Sequence, residues 1–314
     1  MTSIFFFMLG LVGLWLGAEL ITKSALGISR KFHLSESFIG LVVISLGTSL
    51  PEIMVTLAGA LEKTPSINTT DIVIGNIIGS NLGNMAFILG LTGLLGGTIK
   101  MSQIAVRSQG LALVFSVLMF LVFASDGRIN KFEGLVLIFT YVTYFFFTKF
   151  TNSITTSVPK ARKKHGLGKL LLQLLIGLMV IAQASDWVIS SGIELAVELG
   201  VSELIIGVIL VGIGTSLPEL VVSVTAFFKG ARELSVGNLL GSNIVNTLFA
   251  LGLGAVISGW EIDRKTATFD LPYLLFVMIV AVLFMFSRKK LERKESLLMI
   301  ALYFVYVSLK LMGW

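Results

Sequence analysis

The feature that most constrains this chain is a series of apolar stretches, each roughly 17–25 residues long and nearly free of charge, since a helix needs about 20 such residues to cross a bilayer. Segments 110–124, 135–147 and 273–286 hold no charged side chain at all. A single stretch of this kind fits the buried helix of a soluble protein; a series running from one end of the chain to the other does not. Composition agrees: 55% of the 314 residues are hydrophobic, 13% are charged and mean hydropathy is +0.94, where ordinary soluble domains carry about 25% charge. Hydropathy and punctuation place ten spans near 3–24, 38–61, 72–94, 104–124, 132–150, 168–189, 204–228, 235–257, 269–287 and 293–312. The first run has no basic start and no cleavage site, so it reads as a spanning helix and not as a signal peptide. Cysteine is absent, which removes disulfides, thiolate nucleophiles and cysteine metal sites.

The spans form a duplicated set. Gly47-Thr48-Ser49-Leu50-Pro51-Glu52 returns as Gly214-Thr215-Ser216-Leu217-Pro218-Glu219, and Gly75 to Asn84 (GNIIGSNLGN) returns as Gly237 to Asn246 (GNLLGSNIVN). The offset shortens between the two motifs, which implies a longer hairpin in the first half, around 62–70. A repeated block containing Pro and Glu in apolar surroundings is a duplication. The expected fold is therefore all-α and transmembrane: ten helices as two inverted five-helix repeats, 1–150 and 169–314, joined by a basic cytoplasmic linker at 151–168.

Charge sets the orientation. With the N-terminus outside, only Lys63, Arg128, Lys131, Arg264, Lys265 and Lys310 of the 24 Lys and Arg residues fall on the external side. The positive-inside rule selects this arrangement, with both termini extracellular in a multi-pass cell-membrane protein. The basic residues are then loop charges that fix topology, so the net charge of +6 does not indicate nucleic acid.

Glu52 and Glu219 lie inside spans with apolar sequence on both sides, where a carboxylate marks a functional site by default. No Lys or Arg in the apolar interior of the same spans neutralises them, so the expected counter-charge is a bound cation. Pro51 and Pro218 lack an N–H, which frees the carbonyls of Gly47 and Gly214 and bends each helix. Thr48, Ser49, Thr215 and Ser216 add hydroxyls within one turn. Such hard oxygens suit Ca2+ or Na+, whereas transition metals favour His or Cys. Ser80 and Asn84, and likewise Ser242 and Asn246, share a helix face at i,i+4 and are further candidate ligands. Asn76, Asn81, Asn238 and Asn243 read equally well as helix-packing amides. Glu19 and Asp186, matched in the first span of each half, read as structural or gating residues.

With these motifs the sequence resembles the Ca2+/cation antiporter superfamily, in particular its prokaryotic sodium/calcium exchangers, over essentially the whole chain. The resemblance implies ten helices, with spans 2, 3, 7 and 8 around the ions and spans 1 and 6 sliding against that core. It implies that Glu52 and Glu219 bridge a central Ca2+ assisted by Thr48 and Thr215. Ser49, Ser80, Ser216 and Ser242 would form flanking Na+ sites, and Asn84 and Asn246 the amide pair of spans 3 and 8. Asn at both of these positions disfavours the K+ dependence that an acid at the second confers on some relatives. The expected function is Na+/Ca2+ antiport by alternating access, with no cofactor, with Ca2+, Na+ and membrane lipid as partners, and with the monomer as the working unit. H+/Ca2+ antiport is the alternative, since a buried carboxylate can take up a proton. A passive cation channel would call for a ring of identical subunits. An enzyme would call for a catalytic set that the spans do not contain.

Overall fold

The structure, a computed structural model, describes residues 2–61, 69–96, 99–100, 103–153, 166–198, 214–287 and 290–313. The first half contains α1 (Thr2–Phe32), α2 (Glu36–Thr48), α3 (Leu50–Leu61), α4 (Thr69–Leu95), α5 (Gln103–Phe123) and α6 (Lys131–Ser153). The second contains α7 (Leu167–Glu198), α8 (Leu217–Phe228), α9 (Arg232–Ser258), α10 (Thr266–Phe286) and α11 (Arg293–Leu311). Seven of these helices are long and apolar enough to cross a membrane, and the pair α2–α3, bent by 46°, makes an eighth span. α8 is the described part of the span expected at 204–228, and α11 has span length with charge near both ends. The first part of that seventh span, most of the 62–70 hairpin and most of the 151–168 linker lie outside the described residues.

Burial separates core from periphery. The most apolar windows of α4 and α9 are 72% and 78% buried inside the protein, against 28% for α1 and for α7. Those two outer helices turn Phe5, Met8, Trp15, Leu171, Leu175 and Met179 outward, as lipid-facing surface requires. They also run on about eight residues past the hydropathy-based ends at 24 and 189, reaching Phe32 and Glu198. Hydropathy marks where apolar sequence stops, and the helical backbone continues into polar sequence until a residue breaks it; His33, with φ 54, ends α1.

α1 and α7 pack antiparallel along a seam of glycines. A Cβ at Gly10 would lie 2.7 Å from Val188, and one at Gly17 2.6 Å from Ile181 and 3.0 Å from the Gly177 carbonyl. Gly177 meets the Gly17 carbonyl and Ile21 as Gly10 meets the Ala184 carbonyl and Val188; Gly10 and Gly177 are equivalent positions of the two repeats, so the seam obeys the internal two-fold. Small residues of this kind let helix backbones approach closely in a membrane.

Two short ladders clasp the halves together. β1 (Ile99–Lys100) pairs antiparallel with β4 (Lys290–Leu291), and β2 (Arg128–Ile129) pairs antiparallel with β3 (Trp260–Glu261). β1 and β3 follow equivalent spans of the two repeats, as do β2 and β4, so the two clasps are copies of one contact.

Candidate functional site

The repeated motifs meet at the centre of the bundle. Pro51 and Pro218 cannot donate to the carbonyl four residues back, and the chain turns at the serine two positions earlier. Ser49 (φ −83, ψ 9) and Ser216 (φ −89, ψ 7) occupy the same sparsely populated backbone region. Each corner aims a hydroxyl and, three residues on, a carboxylate into the interior. Ser49, Glu52 and Glu219 are fully buried, and Thr48 and Ser216 are 1% exposed.

Hydrogen bonds knit the four motifs across the two-fold. Ser49 Oγ donates to Glu219 Oε1 at 3.0 Å and Ser242 Oγ donates to the same oxygen at 3.2 Å. On the other side Ser80 Oγ donates to Glu52 Oε1 at 3.2 Å and lies 3.1 Å from Thr215 Oγ1. Thr48 Oγ1 is 3.4 Å from Ser242 Oγ and donates to Asn238 Oδ1 at 3.2 Å. Each carboxylate thus has one oxygen engaged. Glu52 Oε2 and Glu219 Oε2 are buried with no partner among the described residues, as are Ser216 Oγ, both amide atoms of Asn84 and Asn246 Oδ1.

Among the described residues no Lys, Arg or His forms an ion pair with either glutamate. No three His, Asp or Glu side chains converge as a metal centre among them either; the donor set is two carboxylates plus neutral hydroxyl and amide oxygens. A buried carboxylate without compensation costs several kcal/mol.

Of the ten candidate residues read from the sequence, Thr48, Ser49, Glu52, Ser80, Thr215, Glu219 and Ser242 share this hydrogen-bonded cluster, while Ser216, Asn84 and Asn246 make no hydrogen bond to it among the described residues. Asn84 and Asn246 also sit in π-helical turns, Gly83–Ile88 and Val245–Ala250, a distortion common at functional sites. Of the amides read as packing residues, Asn238 joins Thr48 to Ser223, and Asn81 crosses to the second half, donating to Thr247 Oγ1 at 2.8 Å. Thr247 carried no sequence signal, because its repeat counterpart is Met85. Glu19 stands apart from the centre. It pairs with Lys23 at 2.7 Å and with Lys229, just beyond α8, at 3.2 Å, which is a structural link between α1 and α8. Asp186, its counterpart, is exposed.

Two inverted halves enclosing a buried two-carboxylate centre, beside the break between α2 and α3, define a membrane transporter of the alternating-access class. Comparison with known proteins is more specific. The family described as sodium/calcium exchanger protein matches residues 2–150 and 169–312. The chain is 28% identical to the sodium/calcium exchanger MaX1 of Methanosarcina acetivorans over 96% of both chains. It is 33% identical to the inner membrane protein YrbG of Escherichia coli over 88% of both. Its fold matches the sodium-calcium exchanger NCX_Mj, in a structure soaked with Na+ and Ca2+, with a TM-score of 0.83 at 27% identity over 98% of both chains. The chain belongs to the sodium/calcium exchanger protein family. It is a multi-pass membrane transporter and not an enzyme.

Proposed function

We propose that this protein exchanges Na+ for Ca2+ across the membrane as a secondary active antiporter, by alternating access at the site between Glu52 and Glu219. The observation that carries this reading is the pair of wholly buried carboxylates, each with an unpartnered oxygen and, among the described residues, no cationic side chain to balance it. Two negative charges match one Ca2+, which takes six to eight oxygens, and the same hard oxygens serve Na+. Glu52 and Glu219 bridge the divalent ion, with Thr48 and Thr215 beside it. Ser49, Ser80, Ser216 and Ser242 provide the flanking Na+ positions, with Asn84 and Asn246 as the amide pair. The two cations compete for one oxygen set, and the protein changes face only with the buried charge compensated, which couples their movements.

The repeats 1–150 and 169–314 are the two units, joined by the cytoplasmic linker 151–168, and both termini face outward from the cell membrane. This orientation puts the connections bearing β1 and β4 together on the inner side, and those bearing β2 and β3 together on the outer side, as their pairing requires. One chain holds both halves of the site, so the monomer suffices. The test is 45Ca2+ uptake into proteoliposomes loaded with Na+, beside vesicles loaded with K+ or given only a pH gradient, with Glu52→Gln as control. Uptake that requires internal Na+ and vanishes in the variant is expected. Uptake driven by the pH gradient and indifferent to Na+ would replace the counter-ion with H+.

A further inference from the structure

The inverted halves carry the same motif, Gly-Ser-Asn followed three residues later by a second Asn, yet the structure treats the two copies differently. In the first copy Asn81 reaches across the bundle with both ends of its amide engaged. Its Nδ2 donates to Thr247 Oγ1 at 2.8 Å, and its Oδ1 accepts from Asn246 Nδ2 at 3.3 Å. All three side chains are fully buried. Asn81 therefore sits between two consecutive residues of the π-helical turn Val245–Ala250 in α9. In the second copy Asn243 turns back on its own helix, donating to the Leu239 carbonyl at 2.7 Å. Among the described residues its Oδ1 is unpartnered, and so are both amide atoms of Asn84. Met85 stands where Thr247 stands in the other half, and a thioether cannot replace the hydroxyl.

The difference has a chemical consequence for Asn246. Its nitrogen is occupied by Asn81, so its oxygen is the atom left over. A half-turn of the Asn246 amide alone would set two carbonyl oxygens against each other. A half-turn of both amides would oblige Thr247 to change from acceptor to donor, so the three groups reorient together or not at all. Asn84 is under no such restraint. We propose that Asn81 and Thr247 are positioning residues that present Asn246 to the transported cation as an oxygen ligand, making the two halves of the site unequal before any ion arrives. This rests on the antiport site proposed above and refines it: one amide is preorganised, and the other adjusts to the ion.

The test compares Thr247→Val, which keeps the shape and removes the hydroxyl, with Thr247→Ser, which restores it, in Na+-loaded proteoliposomes taking up 45Ca2+. Thr247→Val is expected to raise the Ca2+ concentration for half-maximal uptake roughly three- to tenfold, as loss of one buried hydrogen bond implies, with the maximal rate within about twofold. Thr247→Ser returns it to the wild-type value. In an Asn246→Ala background, read as the Ca2+-induced shift in melting temperature of purified protein, Thr247→Val adds nothing further, because the residue it acts through is gone. A Val effect of full size in that background, or a Val variant that melts earlier with unchanged ion response, overturns the proposal in favour of plain packing. If the wild type itself shows neither uptake nor a Ca2+-induced shift, the site assignment fails first and this inference with it.

Discussion

Glu52 and Glu219 are equivalent by duplication but not by environment. Glu219 Oε1 accepts from a serine of each half, Ser49 and Ser242, whereas among the described residues Glu52 Oε1 accepts from Ser80 alone. Replacing either carboxylate by its amide removes one of the two charges proposed to balance a divalent ion while keeping the shape. Glu52→Gln and Glu219→Gln are each expected to lower Na+-dependent 45Ca2+ uptake to background, with near-normal expression and folding. Ser49→Ala is a subtler probe. It takes one donor from Glu219 and a hydroxyl from a proposed Na+ position, and should raise the Na+ concentration for half-maximal exchange several-fold, read from the Na+ dependence of 45Ca2+ efflux. At this scale the sequence was most informative, because a carboxylate beside a proline in hydrocarbon is chemically out of place, and its appearance twice at matched depth leaves little room for accident. Asn81 and Thr247 were not legible in the same way. Which partner an amide finds depends on a neighbouring helix that no local pattern specifies.

Among the elements, the broken pair α2–α3 and the outer pair α1–α7 do different work. The 46° bend brings Ser49 and Glu52 toward the centre, while the glycine seam lets two long helices lie against each other with backbone in contact. The seam has no slack at Gly17, where an added methyl would meet Ile181 and the Gly177 carbonyl at 2.6 and 3.0 Å. Gly17→Ala is therefore expected to destabilise by about 1–3 kcal/mol, the usual cost of overpacking, seen as an earlier melting transition in detergent. Gly177→Ala would meet Ile21 and the Gly17 carbonyl at 2.8 and 3.1 Å, and Gly10→Ala, its counterpart in the other repeat, Val188 and the Ala184 carbonyl at 2.7 and 2.9 Å, so both should behave alike. A large effect at Gly10 and none at Gly177, or the reverse, would argue against the two-fold seam. The bend between α2 and α3 was foreseeable from Pro51, and the one expected at Pro218 falls where the preceding helix lies outside the described residues. The π-helical turns at 83–88 and 245–250 were not, since an extra residue in a helical turn leaves the apolar pattern almost unchanged.

For the whole molecule, the strand clasps and the distribution of charge are independent constraints that agree. The clasps require the connection after α4 to share a membrane face with the one after α10, and the connection after α5 to share a face with the one after α9. An even number of crossings separates the members of each pair only if the 204–228 segment counts as one span, because α2–α3 precedes both pairs. Positive-inside counting, which uses loop charges and no contacts, puts the α5–α6 and α9–α10 connections outside. Two-residue strands are too short to show in sequence, so the clasps were invisible there, while the charge bias was plain. The absence of cysteine makes the topology directly measurable, because any thiol introduced is unique. Ser125, Glu261 and Gly166 are all exposed. An impermeant maleimide applied to intact cells is expected to label Ser125→Cys and Glu261→Cys alike, and to label Gly166→Cys only after the membrane is permeabilised. Ser125 and Glu261 reporting opposite faces would break the β2–β3 clasp and with it the inverted repeat. Both silent, with Gly166 labelled, would keep the fold and turn the protein over, so that its basic face looked outward against the charge rule.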